Sequence, residues 1–405
     1  MTSTINRAAS RAGTITIGEA ISRLMPDGVP FRFTAYDGSV AGPADCPIHL
    51  HLRNERGLSY LITAPGDLGL ARAYVSGDLD LEGVHPGDPY EGMALLQRES
   101  GFKIPPPAEA FQIIRGLGWS HLKPPPPPPQ EALPRWRRLL EGFRHSKGRD
   151  AEATLEEAQE FKYDLVARKL GLQPGMRLLD VGSGWGGMVR HAAKHYGVRV
   201  VGVTLSREQA AWAQDAIKAD GLDDVAEVRH GDYRDIPDAG FDAVSSIGLT
   251  EHIGKQNLPP YFSFLFGKLK PGGRLLNHCI TRPDNTEPAI RMRGFINRYV
   301  FPDGELEGPG YLISLMHDTG FEVRHEENLR EHYALTLKGW CANLAANWDE
   351  CVREVGEGTA KVWGLYMAGS RLSFERNEIQ LHQVLAVKPD PDGNAHFPLR
   401  PTWLS

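Results

Sequence analysis

The sequence has few cysteines, no long hydrophobic run and only a small excess of one charge. Its 405 residues include four cysteines, Cys46, Cys279, Cys341 and Cys351, whose spacing fits neither a metal site nor a disulfide framework. We therefore expect a reduced, cytoplasmic chain with no bound metal. No apolar stretch approaches the roughly 20 residues of a membrane helix, which leaves only peripheral contact with lipid. The net charge of −6 argues against a nucleic-acid partner.

Proline is abundant in the middle of the chain, where it separates two different compositions. Residues 124–129 are six consecutive prolines, which exclude a helix or a central strand and predict a stiff, extended spacer. Residues 133–149 then carry six basic side chains and one acid among apolar residues. This pattern is typical either of a helix lying on an anionic bilayer or of a solvated helix face packed on the catalytic domain. We predict an N-terminal domain at 1–123, a linker at 124–153 and a catalytic domain at 154–405.

The N-terminal region has the patterns of a small α+β domain. Apolar spacing predicts helices at 15–24 and 67–74, and alternation predicts strands at 49–52 and 60–63. His49 and His51 share one face of the first strand, but no acid or cysteine is spaced to complete a metal site. We interpret them as solvated histidines.

From residue 154 the pattern changes to alternating strands and helices. A capping-box sequence opens a helix over 154–170. Apolar runs predict strands at 178–181, 198–203, 226–229, 241–246 and 273–279, with 321–324 and 380–387 completing the sheet. Helices fit between these strands, so the order predicts an α/β, doubly wound, Rossmann-like domain.

The segment around which this domain is organised is a strand that leads into glycines. After residues 178–181, Gly182, Ser183 and Gly184 predict a tight turn before a helix. Glycine there lets the backbone approach a ligand closely, and the helix start offers free N–H groups. The same sequence is also compatible with a simple strand-to-helix turn that binds nothing. Asp180, two residues before the first glycine, favours a cofactor with hydroxyls and a cation over one with a pyrophosphate.

Polar residues follow the next two strands at equivalent points. The second strand ends in Thr204 and Leu205, without the acid that holds a ribose in dinucleotide folds, which argues against an NAD enzyme. Thr204 and Gln209 supply a hydroxyl and an amide instead. Asp232 and Tyr233 follow the third strand, where a carboxylate and a ring are suited to bond and stack an adenine. Each residue alone is more often a turn residue, so the prediction depends on their joint placement.

Several longer motifs together make the chain resemble a known family. They are Leu179-Asp180-Val181-Gly182-Ser183-Gly184-Trp185-Gly186-Gly187, Val201-Gly202-Val203-Thr204-Leu205-Ser206 with Gln209, Gly231-Asp232-Tyr233-Arg234-Asp235, Ser246-Ile247-Gly248-Leu249-Thr250-Glu251-His252-Ile253-Gly254, Asn277-His278-Cys279-Ile280 and His332-Tyr333-Ala334-Leu335-Thr336-Leu337. The chain thereby resembles the cyclopropane-fatty-acid synthases and mycolic-acid methyltransferases, and within them we favour the actinobacterial branch that makes mid-chain methylene or methyl branches. Residues 69–78 look like that family's accessory, lipid-associated domain.

The resemblance implies a cofactor and a reaction. The cofactor is S-adenosylmethionine, held by Asp180, Gly182, Ser183, Gly184, Thr204, Leu205, Gln209, Asp232 and Tyr233. The family methylates the double bond of an unsaturated acyl chain, and the resulting carbocation loses a proton to a bound bicarbonate. We expect a membrane phospholipid as the substrate and a methylene-branched chain as the product, with a cyclopropane ring as the alternative.

The resemblance also implies which residues carry the reaction. Glu251, His278 and Tyr333 would hold the bicarbonate through their side chains, helped by backbone groups of Ile247 and Gly248. Taken without the family pattern, each has an ordinary structural interpretation: a helix start for Glu251, a strand end for His278 and core packing for Tyr333.

Three positions depart from the family pattern. Thr250 stands where an aromatic residue is usual, Ser183 replaces the usual Cys, and a segment expected to cover the cofactor is missing between Gly148 and Thr154. We interpret the last departure as a loop of roughly thirty residues that the sequence omits. This interpretation predicts that the Cα atoms of Ala153 and Thr154 lie farther apart than the about 3.8 Å of one peptide unit.

Two functions of other classes stay open at this point. One is a methyltransferase of the same fold that acts on a soluble small molecule, and the other is a catalytically silent lipid-binding subunit. For an enzyme that acts on lipid, we expect association with the inner face of the membrane. A homo-oligomer and a separate reductase acting on the product are further partners that this interpretation allows.

Overall fold

The structure, a computed structural model, describes residues 15–98, 105–131, 155–286, 294–302, 304–401 and 403. The chain divides into two compact units. The first takes in Met1–Leu133, Arg293–Tyr299 and Cys341–Gly369, and the second takes in Pro134–Met292, Val300–Trp340 and Ser370–Ser405. The predicted basic helix at 133–149 and the predicted break between Ala153 and Thr154 lie outside the described residues.

The first unit begins with a small sheet and the helices that cover it. Its elements are α1 (Ile17–Leu24), β1 (Arg32–Ala35), β2 (Val40–Ala41), β3 (His49–Leu52), α2 (Glu55–Thr63), α3 (Asp67–Val75), β4 (Leu79–Glu82), α4 (Tyr90–Arg98) and α5 (Pro107–Leu117). The strands are ordered β2-β1-β3-β4. Alternation along β3 buries Leu50 and Leu52 in the apolar core. His49 and His51 lie on the other face, half-buried, with both rings hydrogen-bonded to the Thr34 hydroxyl at 2.8 and 2.7 Å.

The prediction of a strand at 60–63 is wrong, because these residues form the last turns of α2. Asn54 caps this helix by accepting a hydrogen bond from the Gly57 N–H at 3.1 Å. An asparagine cap satisfies one of the free N–H groups at a helix start and so favours the helix over the strand. Leu58 and Tyr60 of this helix are both buried in the apolar core. The helices predicted at 15–24 and 67–74 are confirmed by α1 and α3.

The remaining elements mostly alternate between helix and strand as far as β9 (Leu269–Thr281) and contain longer runs of helices after it. They are α6 (Leu155–Leu170), β5 (Arg177–Val181), α7 (Gly187–Tyr196), β6 (Arg199–Thr204), α8 (Arg207–Ala219), β7 (Ala226–His230), β8 (Phe241–Ile247), α9 (Leu258–Lys268), β9 (Leu269–Thr281), α10 (Phe295–Tyr299), α11 (Pro309–Thr319), β10 (Glu322–Asn328), α12 (Arg330–Ala346), α13 (Trp348–Val355), α14 (Glu357–Glu375) and β11 (Gln380–Val387).

The second unit is built on a sheet with the strand order β10-β11-β9-β8-β5-β6-β7. The strands from β9 to β7 run parallel, and β11 and β10 are antiparallel to their neighbours. Most residues of β5 and β8 are buried, since parallel strands are covered on both faces and are therefore continuous apolar runs. Helices α6, α7 and α8 pack on one face, and α9 and α11 on the other. The predicted α/β, Rossmann-like fold is confirmed.

The strand order explains where a ligand site belongs in this unit. From β5 the chain passes to β6 and β7 on one side of the sheet, then returns to β8 and β9 on the other side. In doubly wound sheets, the crevice at the carboxyl ends of the strands beside such a reversal is the usual ligand site. The register places Asp180 beside Ser245, and Ile247 beside His278, close to this edge.

The two units do not follow the linear division expected from the sequence. Residues 341–369, assigned there to the catalytic domain, belong to the first unit. They join it by packing, since the His85 ring meets Trp348 edge-on at 5.7 Å and the Lys361 ammonium lies 5.0 Å from the centre of the Tyr74 ring. Sequence order alone carries no signal for these contacts.

The proline run belongs to the first unit, where one of its carbonyl groups and a residue just beyond it accept hydrogen bonds from other elements. It contains no helix or strand, because proline lacks the N–H that both need. The Tyr60 hydroxyl donates a 2.6 Å hydrogen bond to the Pro126 carbonyl. Just beyond the run, Arg72 donates two hydrogen bonds, at 2.6 and 2.7 Å, to the buried Glu131 carboxylate. The first part of the predicted linker is therefore part of a compact unit.

Among the helices of the described residues, none has the length and apolar character to cross a membrane. All four cysteines are free.

Candidate active site

The turn after β5 opens into a cavity of about 250 Å³. Gly182 and Gly184 have φ angles of 79° and 53°, a conformation that glycine adopts without steric cost. The helix α7 then begins at Gly187, so its free N–H groups face the turn. The cavity is lined by Gln159, Lys162, Tyr163, Asp180, Gly182, Ser183, Gly184, Trp185, Gly187, Met188, Ile247 and Trp340.

Close packing of α6 against the start of α7 explains why residue 187 is glycine. A Cβ atom at Gly187 would lie only 2.2 Å from the Tyr163 hydroxyl, far inside van der Waals contact. Burial raises the pKa of Tyr163 to about 12, so its hydroxyl stays protonated and polar. The tyrosine therefore places a hydrogen-bonding group beside the helix start.

Asp180 is the buried acid of the cavity. Its Oδ1 accepts a 2.6 Å hydrogen bond from the Ser245 hydroxyl on the neighbouring strand. Burial raises the pKa of Asp180 to about 6, against the opposing effects of Ser245 and the positive charge of Lys162. Burial likewise lowers the pKa of Lys162 to about 8, against the charge of Asp180. At neutral pH the cavity therefore holds one carboxylate and one ammonium, each favouring the charged form of the other.

Two polar atoms at the cavity point to a ligand. Ser183 Oγ and Gln159 Oε1 are buried and have no hydrogen-bond partner among the described residues. Buried polar atoms are nearly always satisfied, so such exceptions mark places where a ligand or water binds. Hydroxyl, amide, carboxylate and aromatic groups around one cavity fit S-adenosylmethionine, which combines ribose hydroxyls, an amino acid and a sulfonium cation.

The second predicted group of cofactor residues lies at the carboxyl end of β6. The Thr204 hydroxyl donates a 2.8 Å hydrogen bond to Gln209 Oε1, and Ser206 caps α8 by accepting from the Gln209 N–H. Leu205 is 62% exposed. Thr204 and Gln209 thus satisfy each other at the expected edge of the sheet, and their contact with a cofactor stays a prediction.

The third predicted group follows β7. Asp232 accepts two hydrogen bonds from the Arg234 guanidinium, at 2.9 and 2.6 Å, which lower its pKa. The Tyr233 ring packs edge-on against Tyr261 and Phe264 at 5.2 and 5.1 Å. Both residues therefore already have protein partners, and their binding to an adenosine stays a prediction.

Glu251 is a buried acid with one free oxygen. It lies in the turn after β8, 8% exposed, and its Oε1 accepts a 2.6 Å hydrogen bond from the Ile280 backbone N–H. Its Oε2 has no partner within the described part of the chain. Burial raises the pKa of Glu251 to about 7. Around neutral pH a large share of Glu251 therefore carries a proton, and Oε2 is the oxygen free to hold it.

His278 lies on β9, two residues before Ile280, whose N–H binds Glu251. It pairs in register with Ile247 on β8 and with Gln383 on β11, and its Nδ1 lies 3.1 Å from Gln383 Nε2. Burial, with smaller contributions from Lys162 and Lys169, lowers the pKa of His278 to about 3. The imidazole is consequently neutral at physiological pH.

The backbone positions implied for the site differ in what they offer. The Gly248 N–H donates a 2.8 Å hydrogen bond to the His278 carbonyl, so this amide already has an acceptor. Ile247 lines the cofactor cavity. Thr250 is one of the departures from the family pattern. Its hydroxyl donates a 2.6 Å hydrogen bond to Asn277 Oδ1, so the extra polar atom has a partner within the protein.

Tyr333 lies on a different element, α12. Its ring contacts Trp340 at 5.9 Å and Phe374 at 4.9 Å between centroids. Trp340 lines the cofactor cavity, so Tyr333 is one side chain removed from it. The structure thus joins Glu251 and His278 through β9, and convergence of all three residues on one anion stays a prediction.

Several residues at the site were missed by sequence reasoning. Gln159, Lys162 and Tyr163 are spaced three and four residues apart, which places them on one face of α6. That spacing is visible in the sequence, but nothing in it says that this face covers the glycine turn. Ile280, whose N–H orients Glu251, was missed because a backbone donor has no side-chain signature.

The site combines a glycine turn at the strand-order reversal, a buried acid beside it and a cavity of about 250 Å³, and together with the related structures these features indicate a class of protein. The class is the S-adenosylmethionine-dependent methyltransferases, as a related structure described below holds the product of that cofactor. The chain belongs to the mycolic acid cyclopropane synthetase family, whose sequence model matches residues 146–384. The predicted family and cofactor are therefore confirmed.

Individual relatives extend over different parts of the chain. The "Probable fatty acid methyltransferase Rv3720" of Mycobacterium tuberculosis is 55% identical over 406 residues, which cover 92% of this chain and 95% of that protein. The "Cyclopropane-fatty-acyl-phospholipid synthase" of Escherichia coli strain K12 is 35% identical over 237 residues, 58% of this chain and 59% of its own length. A crystal structure of "mycolic acid cyclopropane synthase CmaA1 complexed with SAH and CTAB" matches with a TM-score of 0.55 and 32% identity, covering 62% of this chain and 92% of that one.

Proposed function

We propose that the enzyme methylates the double bond of an unsaturated acyl chain in a membrane phospholipid and leaves a methylene branch. The printed names of two relatives, a probable fatty acid methyltransferase and a cyclopropane-fatty-acyl-phospholipid synthase, support this substrate class. The single observation that carries the proposal is the pair Glu251 and His278. Both are buried; His278 lies beside Ile247, which lines the cavity, and Glu251 is bonded to Ile280 two residues further along β9. Their pKa values, about 3 for His278 and about 7 for Glu251, favour the uncharged form of both side chains between these two pH values.

The chemistry needs a methyl donor, a dry cavity and a place for one proton. When bound, S-adenosylmethionine would supply an electrophilic methyl group, and its positively charged sulfur would keep the electron pair of the broken S–CH₃ bond and leave as a neutral thioether. The π electrons of the alkene form the new C–C bond, and the adjacent carbon of the lipid becomes a cation. Loss of a proton after a hydride shift gives the methylene branch, whereas direct loss from the new methyl group closes a cyclopropane ring.

Glu251 and His278 are suited to hold a small oxyanion such as bicarbonate, which would supply the base. A protonated carboxyl and a neutral imidazole each donate a hydrogen bond without adding a second negative charge. An ionised Glu251 would repel the anion and would leave its own free oxygen unsatisfied. The arrangement therefore favours anion binding at or below neutral pH.

The proposal is tested with the purified chain, labelled S-adenosylmethionine and vesicles of mono-unsaturated phospholipid, with and without bicarbonate. We expect label in the acyl chain, a mass gain of one CH₂ unit, and a fragmentation pattern of a methylene branch. His278→Ala is expected to lower the rate about 100-fold or more, and the exposed neighbour variant His252→Ala is the matched control.

Other outcomes would assign a different function. A cyclopropane fragmentation pattern retains the substrate and replaces the product. Label found only in soluble acceptors makes the protein a small-molecule methyltransferase. Cofactor binding without turnover on any unsaturated lipid makes it a silent lipid-binding subunit. A rate independent of bicarbonate removes the proposed base.

We also propose peripheral contact with the inner face of the membrane, where such a substrate lies. Phe111, Trp119 and Leu122 are 53%, 54% and 43% exposed, on α5 and the turn that follows it. The rings of Phe111 and Trp119 contact each other edge-on at 5.6 Å, and the exposed Arg115 and Lys123 flank them. Aromatic rings bordered by basic residues match the interface of an anionic bilayer.

This contact is tested by vesicle flotation. The double variant Phe111→Ser with Trp119→Ser is expected to weaken binding to vesicles that contain anionic phospholipid, while cofactor affinity stays unchanged. Phe161→Ser removes an equally exposed ring (60%) from the other unit and serves as the control. Equal binding by both variants contradicts the proposal.

A further inference from the structure

A buried chain of hydrogen bonds leads from the side of the second unit to His278. The Lys169 ammonium contacts the Glu327 carboxylate and donates a 2.8 Å hydrogen bond to Gln383 Oε1. Gln383 Nε2 then lies 3.1 Å from His278 Nδ1. Lys169 and Gln383 are completely buried and His278 is 5% exposed, so water does not compete for these groups.

The local structure brings these residues together for separate reasons. Gln383 is the direct cross-strand neighbour of His278 in the antiparallel β9 and β11 pair, which places both side chains on one face of the sheet. Lys169 lies two helical turns after Lys162 on α6, and a spacing of seven residues returns to the same helix face. One face of α6 thus serves both the cofactor cavity and the histidine.

The donors and acceptors of Lys169, Gln383 and His278 permit only one arrangement of these hydrogen bonds. An ammonium has three donors and no acceptor, so the atom of Gln383 that meets Lys169 is the carbonyl oxygen. The amide N–H₂ of Gln383 must then face His278 and donate. Because Nδ1 of His278 accepts this bond, it carries no proton, and in a neutral imidazole the proton is then on Nε2.

We infer that Lys169, acting through Gln383, is a positioning residue that holds His278 as its Nε2–H tautomer. This inference rests on the proposed function, since it gives His278 the donor that binding of an oxyanion requires. A buried ammonium is costly to desolvate, and an apolar side chain would fill the space without that cost. A pure donor, however, fixes the orientation of the Gln383 amide, which an apolar side chain would not.

Other charged groups surround this lysine without altering its role. Burial lowers the pKa of Lys169, and the Glu327 partner opposes that effect, with a smaller contribution from Glu326. Glu326 itself pairs with His382. The Arg274 guanidinium donates a 3.3 Å hydrogen bond to the Lys169 backbone carbonyl and lies over the Phe397 ring, 4.8 Å from its centre. Lys169 therefore faces an acid on one side and an amide oxygen on the other.

The tautomer is measured directly by ¹⁵N NMR on the full chain with labelled histidine. The chain has 15 histidines, so the His278 signals are assigned by their loss in His278→Gln. We expect the wild-type spectrum to show an unprotonated Nδ1 and a protonated Nε2. A wild-type Nδ1 that carries the proton overturns the inference without any functional variant.

Three variants and one control variant then test the cause. Gln383→Glu places an acceptor-only carboxylate against Nδ1, so Nδ1 is expected to become protonated. Lys169→Met frees the amide to turn over and is expected to give a mixture of tautomers, while Lys169→Arg, also a pure donor, is expected to restore the single Nε2–H form. Gln380→Glu adds the same charge on the same strand and is expected to leave His278 unchanged. An unprotonated Nδ1 in Gln383→Glu overturns the inference.

Kinetics separate this inference from the proposed function. Gln383→Glu is expected to lower kcat about 100-fold with an unchanged KM for S-adenosylmethionine, because the cofactor cavity is intact. If the tautomer changes as expected but wild-type protein methylates no lipid, the proposed function fails and the tautomer assignment stands. If lipid is methylated and Gln383→Glu retains full kcat, the positioning role fails alone.

Discussion

Two groups of polar residues at the same edge of the second unit's sheet differ in how they are satisfied. After β6, the buried Thr204 is bonded to Gln209, and after β7, Asp232 is bonded to Arg234 near the surface. After β8, Glu251 is buried with a free Oε2. On β9, His278 is buried and uncharged. The first group resembles ordinary turn chemistry, and in the second group Glu251 has unmet hydrogen-bonding capacity.

This difference shows which predicted site residues lower the stability of the folded chain when no ligand is bound. An unpaired polar group in the interior costs about 1 to 3 kcal/mol, so such a group marks a place where a ligand or a water molecule binds. A satisfied surface pair costs little and also forms in the absence of any ligand. Glu251 and His278 therefore carry more weight as site residues than Asp232 or Gln209.

The largest expected difference between the two groups appears when one acid is removed from each. Glu251→Ala is expected to lower kcat on unsaturated phospholipid by about 100-fold or more, because the anion loses a buried donor. Asp232→Ala is expected to leave kcat unchanged and to raise only the KM for S-adenosylmethionine. Steady-state kinetics of both variants decide the matter, and equal losses of kcat would erase the distinction.

Asp180 tests the cofactor end of the site. Asp180→Asn keeps the shape and the Ser245 contact but removes the charge that faces Lys162. We expect S-adenosylmethionine to bind about 10-fold more weakly, since hydrogen bonds to charged groups contribute about 1.5 to 3 kcal/mol. Titration calorimetry measures this change, and the exposed carboxylate variant Glu227→Gln provides the control. Unchanged affinity would exclude Asp180 from the cofactor site.

The burial of Glu251 predicts a pH-dependent stability. Its pKa is raised from 4.5 to about 7, so the folded chain holds a proton that the unfolded chain releases. Stability from this group is fully present below about pH 4.5 and is lost progressively as the pH rises through 7, by up to about 3 kcal/mol. Glu251→Gln cannot ionise and should equal wild type in thermal unfolding at pH 4 but exceed it at pH 8. A constant difference between these pH values would show that Glu251 titrates normally.

The smallest expected effect concerns the surface pair after β7. If Asp232 binds cofactor hydroxyls, it must first leave Arg234, whose side chain is 72% exposed. Arg234→Ala then raises the affinity for S-adenosylmethionine by less than about fivefold. A fall in affinity would instead mean that the Asp232 and Arg234 pair shapes the site as a unit.

Most of the sheet was predictable because its strands have strong local signals. Residues 178–181 and 241–246 combine apolar side chains with a few polar ones and lead into turns that contain glycine, and the structure confirms both as central strands. The prediction at 60–63 failed because Tyr60, Leu61 and Ile62 have strand propensity, yet the Asn54 cap and the packing of Tyr60 favour a helix.

The site was predictable where a motif names the side chain and not where packing selects it. Asp180 and the glycines belong to a contiguous turn, so their placement follows from the strand that precedes them. Gln383 and Lys169 are separated from His278 by 105 and 109 residues along the chain. No local pattern connects them.

The sequence by itself determined the alternation of strands and helices, the glycine turn and the types of residue available for chemistry. These features depend on neighbours along the chain. The tertiary structure decided how those residues are protonated. It determines which acid is buried away from water, which oxygen of Glu251 stays free and which nitrogen of His278 accepts a hydrogen bond. Burial and cross-strand contacts set pKa values and tautomers, and both arise only after distant segments have packed together.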